Sequence, residues 1–315
     1  MRMSVALGGC NWLSIWGCKG RSKKVDIMTP TRSLLFVPAL NARAVEKSKG
    51  LDCDGVILDL EDSIVPARKA EARNAAIIAL VDGGFAPPLQ MVRVNSVETD
   101  YFTSDVKALA KAGVEAIVVP KIDTAADVQA AVRILDAEPA AKDTRLWIMI
   151  ETALGVMNLR EICAESQRVE GMIVGPNDLL VDMKARETAG QDALLTSYGL
   201  CLLAARAYGL ICIDGVYKKF KDTAGFVANC TQGRALGFDG KSLIHPAQIS
   251  TANAAFGPSA EEITYAKRQI EAYEAAEAKG AGVATLDGEL VEHLHADDAR
   301  ALLKMAAAIV ERKDT

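Results

Sequence analysis

The chain has 315 residues, half of them hydrophobic and only 5% aromatic, and its net charge is −5. This length suffices for one large domain or two small ones, and a core of Ala, Val, Ile and Leu suits parallel strands covered by Ala-rich helices. The scattered basic residues argue against a nucleic-acid partner, and no apolar run is long enough to cross a membrane. An anionic substrate would therefore be held by a few local cations.

The first 28 residues differ from the rest of the chain. Their weakly apolar run, residues 6–17, is too short for a convincing secretory signal, so we predict a poorly ordered extension over residues 1–28, with Met28 as a natural first residue. The seven cysteines are odd in number and form no CxxC pair. That pattern predicts reduced thiols in a cytoplasmic protein, and neither a disulfide framework nor a zinc site.

Short β-branched runs alternate with longer Ala-rich, charged stretches along the chain. Helices are predicted at residues 68–81, 103–112, 125–137 and 224–236, and strands at residues 33–37, 55–60, 90–95, 116–120, 146–150, 171–174, 211–216 and 241–244. This alternation predicts an α/β fold, a (β/α)8 TIM barrel spanning residues 29–258. An open doubly wound sheet is the alternative, but no GxGxxG motif follows the first strand.

The segment 259–315 continues beyond this set of strands. It predicts a charged helix at 259–279, a Gly-Ala-Gly break at 280–282, a turn or hairpin at 285–291 and a last helix at 296–313. A helical extension behind a glycine-rich hinge predicts a C-terminal lid or a subunit clasp. The alternative is a helix packed on the outer face of the barrel.

Charged side chains stand at the ends of the predicted strands, the edge where barrel enzymes place their active sites. In chain order they are Asp59, Glu61, Asp62, Arg93, Lys121, Glu151, Asp178, Asp214 and His245. Acids gathered there repel one another and are partly desolvated, so they need a cation. Glu151 and Asp178 follow neighbouring strands and predict a Mg²⁺ site, completed by water and a bidentate substrate. The alternatives are a salt bridge from Glu151 to Lys121 and an N-cap role for Asp178.

Arg93 is the second candidate at this edge. Its guanidinium offers a bidentate fork to a carboxylate or an enolate oxygen. The alternative is an ion pair with Glu61 or Asp62, and the two interactions are compatible if the acids orient the arginine. Lys121 could form a Schiff base with a substrate, but the acids around it would keep it charged.

Several short motifs connect these residues to a known family. In chain order they are residues 32–38 (RSLLFVP), 59–64 (DLEDSI), 92–95 (VRVN), 119–121 (VPK), 150–155 (IETALG), 175–179 (GPNDL), 237–241 (GFDGK) and 244–249 (IHPAQI). One motif alone is weak evidence, but all of them in order, one per strand, are specific. Through them, residues 32–300 resemble the citrate lyase beta-subunit-like family, which includes malyl-CoA and citramalyl-CoA lyases, within the HpcH/HpaI aldolase group.

The resemblance implies a carbon–carbon lyase that depends on Mg²⁺, for which Mn²⁺ can substitute. Such an enzyme cleaves a malyl-, citramalyl- or citryl-type thioester into an acyl thioester and an oxo-acid. Glu151 and Asp178 match the metal-binding acids, and Arg93 matches the arginine that binds the substrate carboxylate and the enolate. A metal that chelates carboxylate and hydroxyl oxygens, and a cation that stabilises the departing enolate, agree with the residues read above.

The resemblance also implies contacts to the substrate. Ala39-Leu40 stands where the family has glycine and a small polar residue, so the nearby coenzyme A contacts are the least secure part of the match. The residues implied for coenzyme A are Phe36, Arg43 and Lys47. The substrate-binding set is completed by Arg93, Glu151, Asn177 and His245, with supporting roles for Glu61, Asp62, Lys121 and Asp214.

A C-terminal residue is implied as well. In related malyl-CoA lyases an aspartate on a C-terminal lid enters the active site of the neighbouring subunit. Glu292 stands at the matching position and would act as the acid/base, which implies a homotrimer or a hexamer. The alternative is that Glu292 and the histidines beside it form a solvated helix entry.

Three other functions remain open. A malyl-CoA-type thioesterase would use the same site to activate water, and a citrate lyase beta subunit would act on a carrier-protein thioester. A non-catalytic subunit of a complex would be expected to have lost some of the site residues. Arg93, Glu151 and Asp178 are all present, which disfavours that last alternative.

Overall fold

The computed structural model describes residues 30–313, so the predicted extension over residues 1–28 lies outside the described residues. Its centre is a closed barrel of eight parallel strands, in which each strand pairs with the next and β1 pairs with β8. The predicted (β/α)8 barrel is confirmed. The strands are β1 Ser33–Pro38, β2 Gly55–Asp59, β3 Leu89–Arg93, β4 Ala116–Val119, β5 Arg145–Ile150, β6 Val169–Val174, β7 Ile211–Asp214 and β8 Gly240–Leu243.

Helices cover the barrel and form most of the C-terminal extension. They are α1 Ala42–Lys49, α2 Lys69–Asp82, α3 Phe102–Ala112, α4 Ala125–Asp136, α5 Ala153–Met157, α6 Leu159–Ala164, α7 Pro176–Asp182, α8 Leu195–Tyr208, α9 Thr223–Leu236, α10 Ile249–Phe256, α11 Ala260–Glu277 and α12 His293–Lys313. None of those within residues 30–313 combines the length and hydropathy needed to span a membrane.

Two apolar layers hold the barrel together. One lies between the strands and the surrounding helices, and the other fills the barrel interior. Trp147 is the largest side chain of the interior layer and has no exposed surface. Its ring lies against Gly171 on β6, where a β-carbon would come within 2.6 Å of the ring. A larger residue at 171 would therefore displace Trp147 and disturb the interior packing.

Several predicted strands end one or two residues later than the observed ones, as in β3, which ends at Arg93. Beyond these ends the backbone still makes single hydrogen bonds to its neighbours. Leu60 N–H donates to the carbonyl of Arg93 at 3.0 Å, and Val94 N–H donates to the carbonyl of Val118 at 3.0 Å. Apolar residues there are buried in the turn that leads away from the sheet, so hydrophobicity alone does not mark the strand end.

The extension after α10 forms a unit with its own small core. Helices α11 and α12 pack together, and β9 Val283–Leu286 and β10 Glu289–Glu292 form an antiparallel hairpin beside them. Asp287 and Gly288 have φ angles of 52° and 87°, as a type I′ turn requires, so the predicted hairpin is confirmed. Near the end of α12, Arg312 binds Asp54, at the amino end of β2. This contact ties the extension to the face opposite the carboxyl ends of the strands.

Candidate active site

A cavity of about 370 Å³ opens at the carboxyl ends of the strands. Each of its charged residues belongs to a strand end, or to the loop or first helical turn that follows it, because the carboxyl ends of a parallel barrel meet at one face. The cavity brings together the predicted metal acids and the predicted arginine. Its polar lining includes Asp59, Asp62, Arg93, Glu151, Asn177 and Asp178.

Glu151 follows β5 and is buried, with 2% of its surface exposed. Its Oε1 accepts a 2.8 Å hydrogen bond from the backbone N–H of Lys121. Burial and the nearby carboxylates of Glu61 and Asp178 raise the pKa of Glu151 to about 8. A carboxylate in this setting favours its charged form only when a cation is beside it, and the predicted metal would supply that cation.

Asp178 lies in the first turn of α7 and lines the same cavity. The N-cap position of α7 is Gly175, and no side chain caps the helix, so the predicted N-cap role of Asp178 is wrong. A β-carbon at Gly175 would collide with the side chain of Glu151. The glycine therefore allows α7 to begin directly beside the carboxylate of Glu151.

Arg93 is the last residue of β3, and its fork is held by Asp59. Nε donates to Oδ1 of Asp59 at 2.7 Å and Nη2 donates to Oδ2 at 2.9 Å. Nη1 lies 3.0 Å from Glu61 and 3.3 Å from Asp62, so the predicted ion pairs with these acids are present as well. Sequence reasoning missed Asp59 as a partner. Asp59 and Arg93 are paired in register on β2 and β3, and that register is the signal that could have found it.

Part of the guanidinium of Arg93 remains available. Its carbon lies 4.8 Å from the centroid of the Phe36 ring, which covers one face of the group. Burial lowers the pKa of Arg93, but the hydrogen bonds and charge of Asp59 outweigh it and raise the pKa above its ordinary range. Asp59 uses the edge formed by Nε and Nη2. Nη1 also donates a 3.3 Å hydrogen bond to the exposed Asp62, so a substrate oxygen at the cavity wall would share the remaining donors of Arg93 with that acid.

Glu61 connects Arg93 to Lys121. Its Oε1 accepts a 2.8 Å hydrogen bond from Nζ of Lys121, while its Oε2 lies 3.0 Å from Nη1 of Arg93 without hydrogen-bond geometry. The predicted salt bridge from Glu151 to Lys121 is therefore wrong, since Nζ turns to Glu61. Burial lowers the pKa of Lys121, but the hydrogen bond and charge of Glu61 raise it further, which agrees with a charged lysine and not with a Schiff base.

Comparison with known proteins assigns the chain that forms this site to a family. The family model described as HpcH/HpaI aldolase/citrate lyase matches residues 32–246. The chain belongs to this family. A (3S)-malyl-CoA thioesterase of Cereibacter sphaeroides is 46% identical over 280 residues, which cover 89% of this chain and 96% of the relative. Citrate lyase subunit beta of Escherichia coli is 35% identical over 282 residues, which cover 87% of this chain and 93% of the relative.

Solved structures show the same fold. The protein CitE from Mycobacterium tuberculosis, in complex with magnesium, acetoacetate and coenzyme A, aligns with a TM-score of 0.71 and 28% identity, covering 89% of this chain and 100% of that chain. RipC from Yersinia pestis aligns with a TM-score of 0.63 and 32% identity, covering 75% of this chain and 99% of that chain.

The remaining residues predicted for this family member lie in different settings. Asn177 lines the cavity. Arg43 and Lys47 are exposed on α1 and are not part of the cavity wall. His245 follows β8, where its Nδ1 accepts a 3.1 Å hydrogen bond from Ala247 N–H and its ring stacks on Phe220. The imidazole is thus held beside the mouth and does not line the cavity.

Asp214 is buried away from the cavity, and its partner was not predicted. Nζ of Lys241 lies 2.5 Å from Oδ2 of Asp214 and 2.7 Å from the carbonyl oxygen of Gly215. Lys241 has no exposed surface. This ion pair fixes the turn after β7, so Asp214 can act on the site only through the loop that it supports.

Glu292 does not line the cavity of its own barrel. It ends β10, and its backbone N–H donates a 3.0 Å hydrogen bond to Nδ1 of His295. His293, next in the chain, is exposed and lies 3.3 Å from Asp297. If Glu292 serves an active site, that site must be brought to it by another subunit or by a movement of the extension.

The acids of the cavity fit a magnesium ion in chemistry and in number. Glu151 and Asp178 supply two hard oxygen donors, and burial with two neighbouring carboxylates raises the pKa of Glu151, a setting in which a cation would favour the charged form. Within residues 30–313, no group of three or more His, Cys, Asp and Glu side chains is arranged to hold a metal. The described part of the chain therefore offers a carboxylate pair and leaves the other ligand positions to water or substrate.

Proposed function

We propose that this protein is a Mg²⁺-dependent hydrolase of a malyl-type coenzyme A thioester. The observation that carries the proposal is a single cavity that holds the carboxylate pair Glu151 and Asp178 together with Arg93, two strands away around the barrel. A 3-hydroxy-dicarboxylic acyl group has oxygens for a metal at one end and a thioester carbonyl for an arginine at the other. The 46% identity to a (3S)-malyl-CoA thioesterase over nearly its full length supports both substrate and reaction.

Glu151 and Asp178 would hold the metal ion. When bound, Mg²⁺ polarises the oxygens that it holds and stabilises negative charge on them. Because two carboxylates fill only part of an octahedral shell, substrate and water oxygens would complete it. The magnesium complexes of CitE from Mycobacterium tuberculosis support this assignment for a related chain.

Arg93 would act on the thioester end of the substrate. When water adds to the thioester carbonyl, negative charge develops on the carbonyl oxygen, and the guanidinium of Arg93, which lines the cavity, would stabilise it. The thiolate of coenzyme A then leaves, and the free dicarboxylic acid remains. Asp59 and Phe36 hold the guanidinium in place, so little reorganisation is needed during the reaction.

The carbon–carbon lyase predicted from the sequence is the second candidate. In that reaction the 3-hydroxyl loses its proton, the bond between C2 and C3 breaks, and the electron pair forms a thioester enolate. Arg93 could stabilise the enolate oxygen with the same guanidinium, while the oxo-acid stays beside Glu151 and Asp178. The 35% identity to citrate lyase subunit beta of Escherichia coli supports this alternative, and it also keeps a carrier-protein thioester open as a substrate.

Glu292 would serve as the acid/base of a neighbouring subunit in a homotrimer or a hexamer. This part of the proposal is supported by the absence of Glu292 from its own cavity wall and by the apolar surface of the extension, where Leu290 and Leu294 are each 56% exposed. A cytoplasmic location is supported by the cysteines of the described residues, which are buried and form no disulfide.

One product assay separates the candidates. Purified protein is incubated with (3S)-malyl-CoA and citramalyl-CoA, with Mg²⁺ and with a chelator, and the products are identified by mass spectrometry. A hydrolase gives free coenzyme A and the dicarboxylic acid, whereas a lyase gives an acyl-CoA and an oxo-acid. The same acyl group on a carrier protein tests the third candidate. Turnover that is insensitive to chelation would contradict the metal assignment.

A further inference from the structure

Lys121 has a backbone conformation that its residue type disfavours. Its φ angle is 52°, in the left-handed region, where a β-carbon is strained and where glycine would be accommodated freely. It follows β4 after one proline, at the carboxyl end of the strand. Strained residues persist when the surrounding structure requires them, so the backbone and the side chain of Lys121 each need an explanation.

The backbone of Lys121 has a clear partner. In this conformation its N–H points to Glu151 and donates a 2.8 Å hydrogen bond to Oε1. Glu151 is buried, so this bond fixes the direction of a proposed metal ligand before any ion arrives. Any residue that can adopt the left-handed conformation would supply the same N–H.

The side chain of Lys121 has a different partner. Nζ donates to Oε1 of Glu61, whose Oε2 lies 3.0 Å from Nη1 of Arg93. Two cations thus share one buried carboxylate, while Arg93 also donates hydrogen bonds to Asp59. Without the ammonium group, Glu61 would have Arg93 as its remaining side-chain cation in these contacts. Its Oε2, already 3.0 Å from Nη1, could then turn to accept a hydrogen bond from Nη1, which would leave the guanidinium with fewer donors for a substrate.

We propose that Lys121 is a positioning residue with two separable roles. Its backbone N–H orients Glu151, and its ammonium group holds Glu61 so that Oε2 stays without a hydrogen bond to Nη1 of Arg93. The inference rests on the proposed function, because it assigns these roles to the same site. It adds that substrate affinity and metal affinity depend on different parts of one residue.

The test uses Lys121→Met, Lys121→Gly and the double variant Lys121→Met/Glu61→Gln. Lys142→Met is the matched control, since that lysine is exposed and pairs with the exposed Asp143. Three quantities are measured for each protein: Mn²⁺ affinity by electron paramagnetic resonance, malate affinity by calorimetry in the presence of Mn²⁺, and KM and kcat for malyl-CoA. The two binding measurements need no turnover, so they report on Lys121 even if the proposed reaction is wrong.

Removing the ammonium group should raise KM and the malate dissociation constant by about tenfold or more, the usual effect of losing a charge-assisted hydrogen bond. Mn²⁺ affinity should stay within about twofold, because both single variants keep the backbone N–H. Adding Glu61→Gln should recover most of the lost malate affinity, since a neutral amide competes weakly for Arg93. A structural role would not give this recovery.

Three outcomes would overturn the inference. Malate affinity and KM in Lys121→Met could equal those of the wild type. The double variant could be no better than the single one. Either single variant could lose Mn²⁺ binding while its circular dichroism spectrum and melting temperature match those of Lys142→Met. If Lys121→Met fails to fold, Lys121→Gly, which relieves the strained φ angle, carries the same test.

Discussion

The barrel and the C-terminal extension differ in how their side chains are buried. The barrel has one apolar layer inside its strands and another beneath its helices, and every residue that lines the candidate site belongs to it. The extension has a core of three buried residues, Tyr273, Val291 and Ala296. It leaves Leu290, Leu294 and Val310 more than half exposed. The barrel supplies every residue that lines the cavity, whereas the extension has a small core of its own, and both units expose large apolar side chains such as Met157 and Leu290.

The sharpest test of the barrel side of this comparison is removal of the metal acids. We expect Glu151→Ala or Asp178→Ala to abolish activity, because either change leaves one protein carboxylate to hold the ion. Mn²⁺ binding by electron paramagnetic resonance should be lost in parallel. Glu46→Ala is the control, since that acid is 77% exposed on α1. Normal metal binding and turnover in either site variant would show that the metal assignment is wrong.

The second largest effect is expected at Arg93. Arg93→Lys should lower kcat/KM by about 100-fold or more, because an ammonium group cannot hold Asp59 bidentately and keep further donors for the substrate. Circular dichroism should show an unchanged fold. Arg145→Lys, at the amino end of β5, changes the same chemistry away from the cavity and should be close to wild type. Equal kinetics for both variants would reduce Arg93 to a structural ion pair.

The extension is tested by mixing inactive proteins. If Glu292 acts on a neighbouring site, a Glu151→Ala protein and a Glu292→Ala protein should regain activity after subunit exchange. Random mixing of equal amounts would pair an intact metal site with an intact lid at about one quarter of the contacts between subunits, a simple consequence of symmetric assembly.

Exchange must be verified with labelled subunits. Absence of recovered activity after exchange would exclude action in trans. Full activity of the Glu292→Ala protein alone would remove Glu292 from the reaction.

A smaller difference is expected in stability. Ile173→Ala, inside the barrel, should cost about 2–5 kcal/mol of the free energy of unfolding. Val291→Ala, in the core of the extension, removes two methyl groups and should cost about 1.5 kcal/mol by lost burial. Urea unfolding measures the free energy of unfolding of each variant. Hydrogen exchange shows which backbone amides lose protection. Loss of protection throughout the barrel in Val291→Ala would contradict the separation between the two units.

The smallest effect is expected at the amino terminus. Deleting residues 1–27 should leave activity and melting temperature unchanged, because the segment shows no periodic apolar face. The deletion removes Cys10 and Cys18. Burial raises the pKa of Cys53, Cys201 and Cys230 to about 12, so the remaining thiols should react slowly with a thiol reagent at pH 8 until the protein is denatured. A large loss of stability, or rapid labelling of the folded protein, would contradict this expectation.

The fold could be predicted because its signals are local. Buried strands are continuous apolar runs, the helices between them are rich in Ala, and the Asp287-Gly288 pair predicts its own hairpin. The charged residues at the rim could be predicted for a similar reason, since the ends of parallel strands converge. Glu151, Asp178 and Arg93 were found in this way and line one cavity.

The contacts that could not be predicted from the sequence depend on strand register and on backbone conformation. Asp59 faces Arg93 through the pairing of β2 with β3, which composition does not reveal. Lys121 has a left-handed backbone and turns its ammonium group to Glu61. Nothing in the VPK motif predicts that backbone conformation. The alternatives proposed for Glu151 and Asp178 failed for the same reason: both depended on where a backbone turns, not on which residues are present.

The contact of Arg312 with Asp54 fixes one end of α12 to the barrel, so a small rotation about this contact would move the other end of the helix much further. The arginine also donates to the carbonyl oxygen of Cys53 at 2.7 Å and lies 3.2 Å from Asp52, so this end of α12 is held at three points. Glu292 lies just before the opposite end of this helix, which at 1.5 Å per residue is roughly 30 Å away. A pivot of about 5° at the Arg312 contacts would swing that tip by about 3 Å, the length of a hydrogen bond.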